Sequence, residues 1–192
     1  MSDEVGQIRD EKLDAEREAR RRSALLQIRQ FGDPVLRLEA KEVEAFDGDL
    51  ERLVDRMKHL MVDANGVGLA ATQIGILRRV FVMQPDPEED PVALVNPRIV
   101  ERGDETEVDD EGCLSLQGVI VPVERSAELT VEALDERGRD VRLELLGRPA
   151  RVVQHELDHL DGVLIVDKTT DDARREAMAT LRAQLSVEPV PR

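Results

Sequence analysis

The stretch Gln154–Leu160, QHELDHL, places two of the chain's three histidines four residues apart, with a glutamate directly after the first. On a helix, with about 100° between successive residues, the imidazoles of His155 and His159 lie about 40° apart and one turn from each other. Two nitrogens so placed can reach one metal ion at about 2.0–2.1 Å. Glu156 falls about 60° to the side of His159, beside the open side of the ion rather than among its ligands. There it suits a general base that takes a proton from water activated by the metal. Val153, Leu157, Leu160 and Leu164 fall on the opposite side, so the helix reads as apolar behind and ligating in front.

Two histidines do not complete a site. The sole cysteine, Cys113, stands in DDEGCLSL, which reads as an acidic turn followed by a strand. As a thiolate it would bind a divalent metal at about 2.3 Å; a lone cysteine is otherwise a small buried hydrophobe. The remaining histidine, His59, is nine residues from Leu50 on an amphipathic helix, about 180° from its apolar face and toward solvent. A closed structural zinc site wants four Cys or His ligands, whereas Cys113, His155 and His159 leave a position for water. A carboxylate in that position would make the site structural, and this alternative stays open. Upstream, Gly66–Ala71 fits G-x-G-x-x-A. A dinucleotide fingerprint follows a strand and opens a long helix, and this stretch follows a helix instead. It reads better as backbone that an extended ligand can approach closely. It ends at Gln73, whose amide can donate to a developing oxyanion.

Several elements must position these groups. Residues 48–64 form a helix, with Leu50, Leu53, Val54, Met57, Leu60 and Met61 on one face, Asp47 or Asp49 as cap and Asn65-Gly66 as stop. Strands are expected at 78–83, 91–100, within 117–134 as two runs, and at 140–146 after a turn at Gly138. A helix over 148–160 leads to a short strand, VLIV, and a closing helix over 171–185. Without βαβ alternation the class is α+β. Residues 1–23 are a charged extension, helical or disordered, and 24–192 a single catalytic domain.

The composition narrows the partners. The chain has 192 residues, 41% hydrophobic and 36% charged, with a net charge of -15. That length and apolar content build one core without disulfides. The negative charge opposes binding nucleic acid through its phosphates. One cysteine permits no intramolecular disulfide and suits a reducing cytoplasm. No apolar run approaches the roughly 18 residues of a membrane span, and the amino terminus lacks the apolar core of a signal peptide.

Three segments together, GVGLAATQ (66–73), EGCLS (111–115) and QHELDH (154–159), resemble in order and spacing the three motifs of the peptide deformylases. The resemblance runs from about Leu26 to the C-terminal helix. H-E-x-x-H alone is shared by many metallohydrolases; H-E-x-D-H with an upstream E-G-C-L-S is far more specific. The family implies antiparallel strands packed around a central metal-binding helix, with a helical C-terminus of the bacterial type. It implies removal of the formyl group from the formylmethionine of new polypeptides, releasing formate. By motif position Cys113, His155 and His159 would hold one divalent metal. Ferrous iron is expected in the cell, with zinc, nickel or cobalt as alternatives in the purified protein. Glu156 would be base and then acid, and Gln73 and the Leu114 N–H would stabilise the oxyanion. Gly68 would pair with the substrate backbone, and Val67 would line the methionine pocket. Glu111 and Asp158 would pair with Arg125. Nascent-chain substrates imply transient ribosome contact, for which Arg174, Arg175 and Arg182 offer a basic patch. The segment Leu116-Gln117-Gly118 departs from the family, where a proline is common, which leaves preference beyond the methionine open. A metallopeptidase would instead cleave peptide bonds, and a structural metal protein would show four ligands and no catalysis.

Overall fold

The computed structural model describes residues 2–187. Helix α2 (Gly48–Asp63) starts where Asp47 accepts the N–H groups of Asp49 and Leu50, at 3.0 and 3.2 Å. All six apolar residues of its predicted face are buried, while Val62 points to solvent. They pack on one face of an antiparallel sheet whose spatial order is β1 (Gly68–Ala70), β2 (Val80–Met83), β3 (Val92–Arg102), β6 (Glu128–Leu134), β7 (Asp140–Leu146). β4 (Thr106–Gly112) and β5 (Ile120–Ser126) form a separate antiparallel pair.

Side chains alternate across a strand, so each central strand feeds two cores. Leu69, Val80, Val82, Ala93 and Val95 face α2. Ala70, Phe81, Met83 and Leu94 face α3 (Arg148–Leu160). β2 is therefore an unbroken apolar run, VFVM, because helices cover both its faces. A third core lies between β5 and α5 (Asp171–Val187), where Ala177 and Leu181 meet Val121 and Val123. Helix α1 (Ser2–Leu25) carries the charged amino-terminal segment. Its last turn anchors it, since Ala24, and Ile28 just beyond, are buried in the α2 core.

Two expectations fail. VLIV is not a strand: Leu164 leads into a one-turn helix, α4 (Ile165–Lys168), and the Asp167 carboxylate accepts the Leu164 N–H at 2.8 Å. A short, fully buried β-branched run reads alike as strand or helix. The acidic stretch before Cys113 is not a turn but β4 itself. Its residues are almost all exposed, so no apolar alternation marks it, and its ladder with β5 holds it in place.

The two sheets meet at Ala127, between β5 and β6. Gln154 on α3 clamps the junction: its amide donates to the Ser126 carbonyl at 3.0 Å and accepts the Ser126 N–H at 3.1 Å. A side chain here occupies both backbone groups that a neighbouring strand would otherwise pair.

Candidate active site

β4 ends in Glu111 and Gly112, and the turn beyond it presents Cys113 toward α3. α3 begins after Gly147, in the positive-φ region at 62°, with a proline in its first turn. It delivers His155 and His159 to the same space. The donor atoms of Cys113, His155 and His159 all lie within 4.8 Å of one another, and Cys113 Sγ stands 3.2 Å from His159 Nε2. Two atoms held about 2.3 and 2.0 Å from one ion would be about 3.2–3.6 Å apart at angles between 95° and 110°. The Cys113–His159 separation thus suits a shared divalent ion, and His155 stands near enough to supply a third donor. His59 lies outside this group, exposed, with its ring on the Asp55 carbonyl.

Glu111 braces the cluster from behind. Its Oε2 is 3.0 Å from His155 Nδ1, which turns the other ring nitrogen toward the site. Arg125 binds both oxygens of Glu111 at 2.9 Å each and also reaches Asp158, the predicted pairing. Arg151 adds a third contact to Glu111 at 2.9 Å. Burial alone would raise the Glu111 carboxyl, but hydrogen bonds from His155 and Arg125 outweigh it and hold the group at about 2. Burial also works against charge on His155, but Cys113 and the Glu111 carboxylate outweigh it and hold its pKa well above the usual imidazole value; a ring that ligates a metal gives up that proton. Burial and the charge on His155 push His159 well below it, so that ring is neutral and its nitrogen free to ligate.

Glu156 is 3% exposed, and its Oε2 has no hydrogen-bond partner among the described residues. Burial pushes the carboxyl up to about 7. A buried carboxyl with one oxygen unpartnered, poised near neutrality, is costly unless that oxygen meets a ligand or water. Gly68 lies against it: a Cβ on Gly68 would stand 2.2 Å from Glu156 Oε1, so a larger residue there pushes the carboxylate aside. Gln73 is pinned at both ends of its amide. Its oxygen accepts the Ala70 N–H at 2.8 Å; its nitrogen donates to Ser115 Oγ at 3.1 Å and lies 3.7 Å from Cys113 Sγ. All eight predicted site residues except His159 line one cleft of about 650 Å³, and His159 is buried beneath it. A larger cavity, about 770 Å³, lies behind α3 among Arg79, Arg98 and Arg102 and holds none of these groups.

Three positioning residues were not anticipated. Ser115 holds Gln73. Arg151 also fastens α3 to the small sheet through the Val123 and Glu107 carbonyls, each at 2.8 Å. Thr72 Oγ1 donates to the His159 carbonyl at 3.1 Å, tying the glycine segment to the ligand helix. Arg151 had one visible signal, its place one turn before His155; Thr72 had none, because its contact spans 87 residues.

Residues 25–175 match the family model described as polypeptide deformylase. The peptide deformylase of Thermotoga neapolitana is 51% identical over 144 residues, 75% of this chain and 87% of that protein. The chain belongs to the peptide deformylase family. The peptide deformylase crystal structure from Thermotoga maritima aligns at TM-score 0.72 with 50% identity, over 74% of this chain and 96% of that one. That from Legionella pneumophila aligns at 0.77 with 38% identity, over 84% and 98%. As a peptide deformylase the chain is a hydrolase that removes the formyl group from an N-terminal methionine. Metal dependence is a property of that family, and the Cys113, His155 and His159 donor set suits it.

Proposed function

We propose that Cys113, His155 and His159 hold the catalytic ion and that Glu156 is the general base and then the acid of formyl hydrolysis. The observation that carries this reading is the partnerless buried oxygen of Glu156 in the cleft that also receives the three donor atoms. A divalent ion bound there supplies Lewis acidity, polarising a carbonyl and making water acidic enough to ionise near neutral pH. Glu156 takes the proton of the attacking water at its free oxygen and later delivers it to the departing amine nitrogen. The Gln73 amide and the Leu114 N–H donate to the formyl oxygen as negative charge develops on it. Gly68 offers its backbone to the peptide in strand addition, and Val67, packed against the α3 core, lines the methionine pocket. Glu111, held by Arg125 and Arg151, keeps His155 in the ligating orientation.

Ferrous iron is the proposed cellular metal, with zinc, nickel or cobalt in its place in purified protein. A thiolate-ligated ferrous site is air-sensitive, so metal analysis belongs on protein purified without oxygen. The proposed setting is the cytoplasm, where formylated chains emerge. No described helix is long and apolar enough to cross a membrane. Ribosome contact is proposed as transient, because Arg174 and Arg175 on α5 already face Asp167 and Asp172.

The test is formate release from a formylmethionyl peptide by the anaerobically purified, metal-loaded protein, with Glu156→Ala alongside. Formate from wild type, one metal per chain in both, and a loss of at least about 10²-fold in the variant are expected. A variant that keeps its metal and turns over at the wild-type rate would remove Glu156 from the chemistry.

A further inference from the structure

We propose that α1 is the second wall of the substrate cleft and that Arg21 selects an acidic side chain directly after the formylmethionine. The inference rests on the deformylase reading above and adds a substrate preference to it.

The family match begins at residue 25, so α1 precedes the segment the family shares. Yet its last turn enters the catalytic cleft, where Arg21 and Leu25 line the same cavity as Gly68, Gln73 and Glu156. The turn is held in place from behind: Ala24 and Ile28 are 3% and 4% exposed in the α2 core. Arg21 is half-buried, and its one ion pair among the described residues is a loose contact of 3.7 Å with the partly exposed Glu18 on its own helix. Such a pair is weak and readily exchanged for a better-placed carboxylate.

The sheet decides which substrate residue meets Arg21. β1 lies at the end of the five-stranded order and pairs only with β2 among the described strands. A peptide added along its free edge sends alternate side chains to opposite faces of the sheet. On one face stand α3 and the small sheet, with Val67 packed against that core and the acids Glu107, Asp109 and Asp110 along the cleft beside Arg148 and Arg151, of which Arg151 is already engaged by Glu111. On the other stand α2 and the end of α1, with Leu25 and Leu114 packed against that core and Arg21 beside them. With methionine on the Val67 side, the next side chain points to Arg21. A carboxylate there gains a guanidinium and points away from the three acids across the cleft.

The experiment compares kcat/KM on formyl-Met-Glu, formyl-Met-Gln and formyl-Met-Lys peptides of otherwise identical sequence, using metal-loaded wild type, Arg21→Ala and Arg21→Glu. One partly exposed ion pair predicts a glutamate-to-lysine ratio of about 3–10 in wild type, falling toward unity in Arg21→Ala and inverting in Arg21→Glu. The wild-type ratio shrinks in about 0.5 M salt, where exposed charges are screened. Because the readout is a ratio within each enzyme, a general loss of activity or stability in a variant does not enter it. The same ratio in all three enzymes, or a wild-type preference for lysine, overturns the assignment of Arg21. No formate from any peptide would instead overturn the deformylase reading beneath it.

Discussion

The contact between Gly68 and Glu156 can be worked through in numbers. An alanine at position 68 would place its Cβ 2.2 Å from Oε1, 2.7 Å from Cδ and 2.9 Å from Cγ of Glu156. Ordinary contact begins at about 3.4 Å, so the carboxylate oxygen must retreat by 3.4 − 2.2, about 1.2 Å. Backbone strain does not enter, because Gly68 is not among the positive-φ glycines. β1 is bound to β2 through three paired residues and cannot easily recede, so the base moves. A displacement of about 1 Å at a reacting group costs on the order of 10²-fold in rate, and the overpacking costs about 1–3 kcal/mol of stability. Gly68→Ala is expected to keep one metal per chain, since the substitution touches no ligand, while kcat on a formylmethionyl peptide falls about 10²-fold. In a Glu156→Ala background the same substitution should cost much less stability, because the clashing atoms are gone. Formate release within about threefold of wild type would refute this account of the carboxylate's position.

The remaining predictions concern the groups around the ligands. Gln73→Glu keeps the acceptor for Ala70 but loses the donor, and kcat should fall about 10²–10³-fold with metal content unchanged. Arg125→Met leaves buried Glu111 with Arg151 and His155, and Asp158 with a contact to Lys168 at 3.6 Å, and urea unfolding should show a loss of about 2–3 kcal/mol; a loss below about 1 would mean that these partners already carry both carboxylates. Glu111, held at about 2 rather than its ordinary 4.5, gives stability that is full above about 4.5 and is lost as pH falls toward 2. The difference of 2.5 units corresponds to about 3 kcal/mol in the metal-free protein. Acid titration of unfolding free energy should show that loss, and Glu111→Gln should be flatter between pH 4.5 and 2.

The donor set was legible because helical spacing alone puts His155 and His159 on one side. Only one cysteine was available to join them, and the structure places it 3.2 Å from His159. α2 was legible for the same reason, a 3.6-residue period. β4 was not, because a strand held mainly by its ladder to a neighbour has no apolar signature of its own, and Asp109 and Asp110 read as a turn. VLIV was ambiguous in principle: continuous burial carries no period. The contacts that set side-chain orientation, Thr72 to His159 and Ser115 to Gln73, join segments 87 and 42 residues apart and depend on the fold being complete.

The Gln154 clamp bears on how fast peptides are captured. By occupying both backbone groups of Ser126, it ties α3, the helix that carries His155 and His159, to the junction of the two sheets. A peptide end then meets histidines whose helix is already fastened to the fold. Capture then depends on collision frequency and orientation, which vary little among peptides of like charge, while dissociation carries the differences between them. Two nascent chains that this enzyme processes at different rates under dilute conditions should differ chiefly in how long they stay.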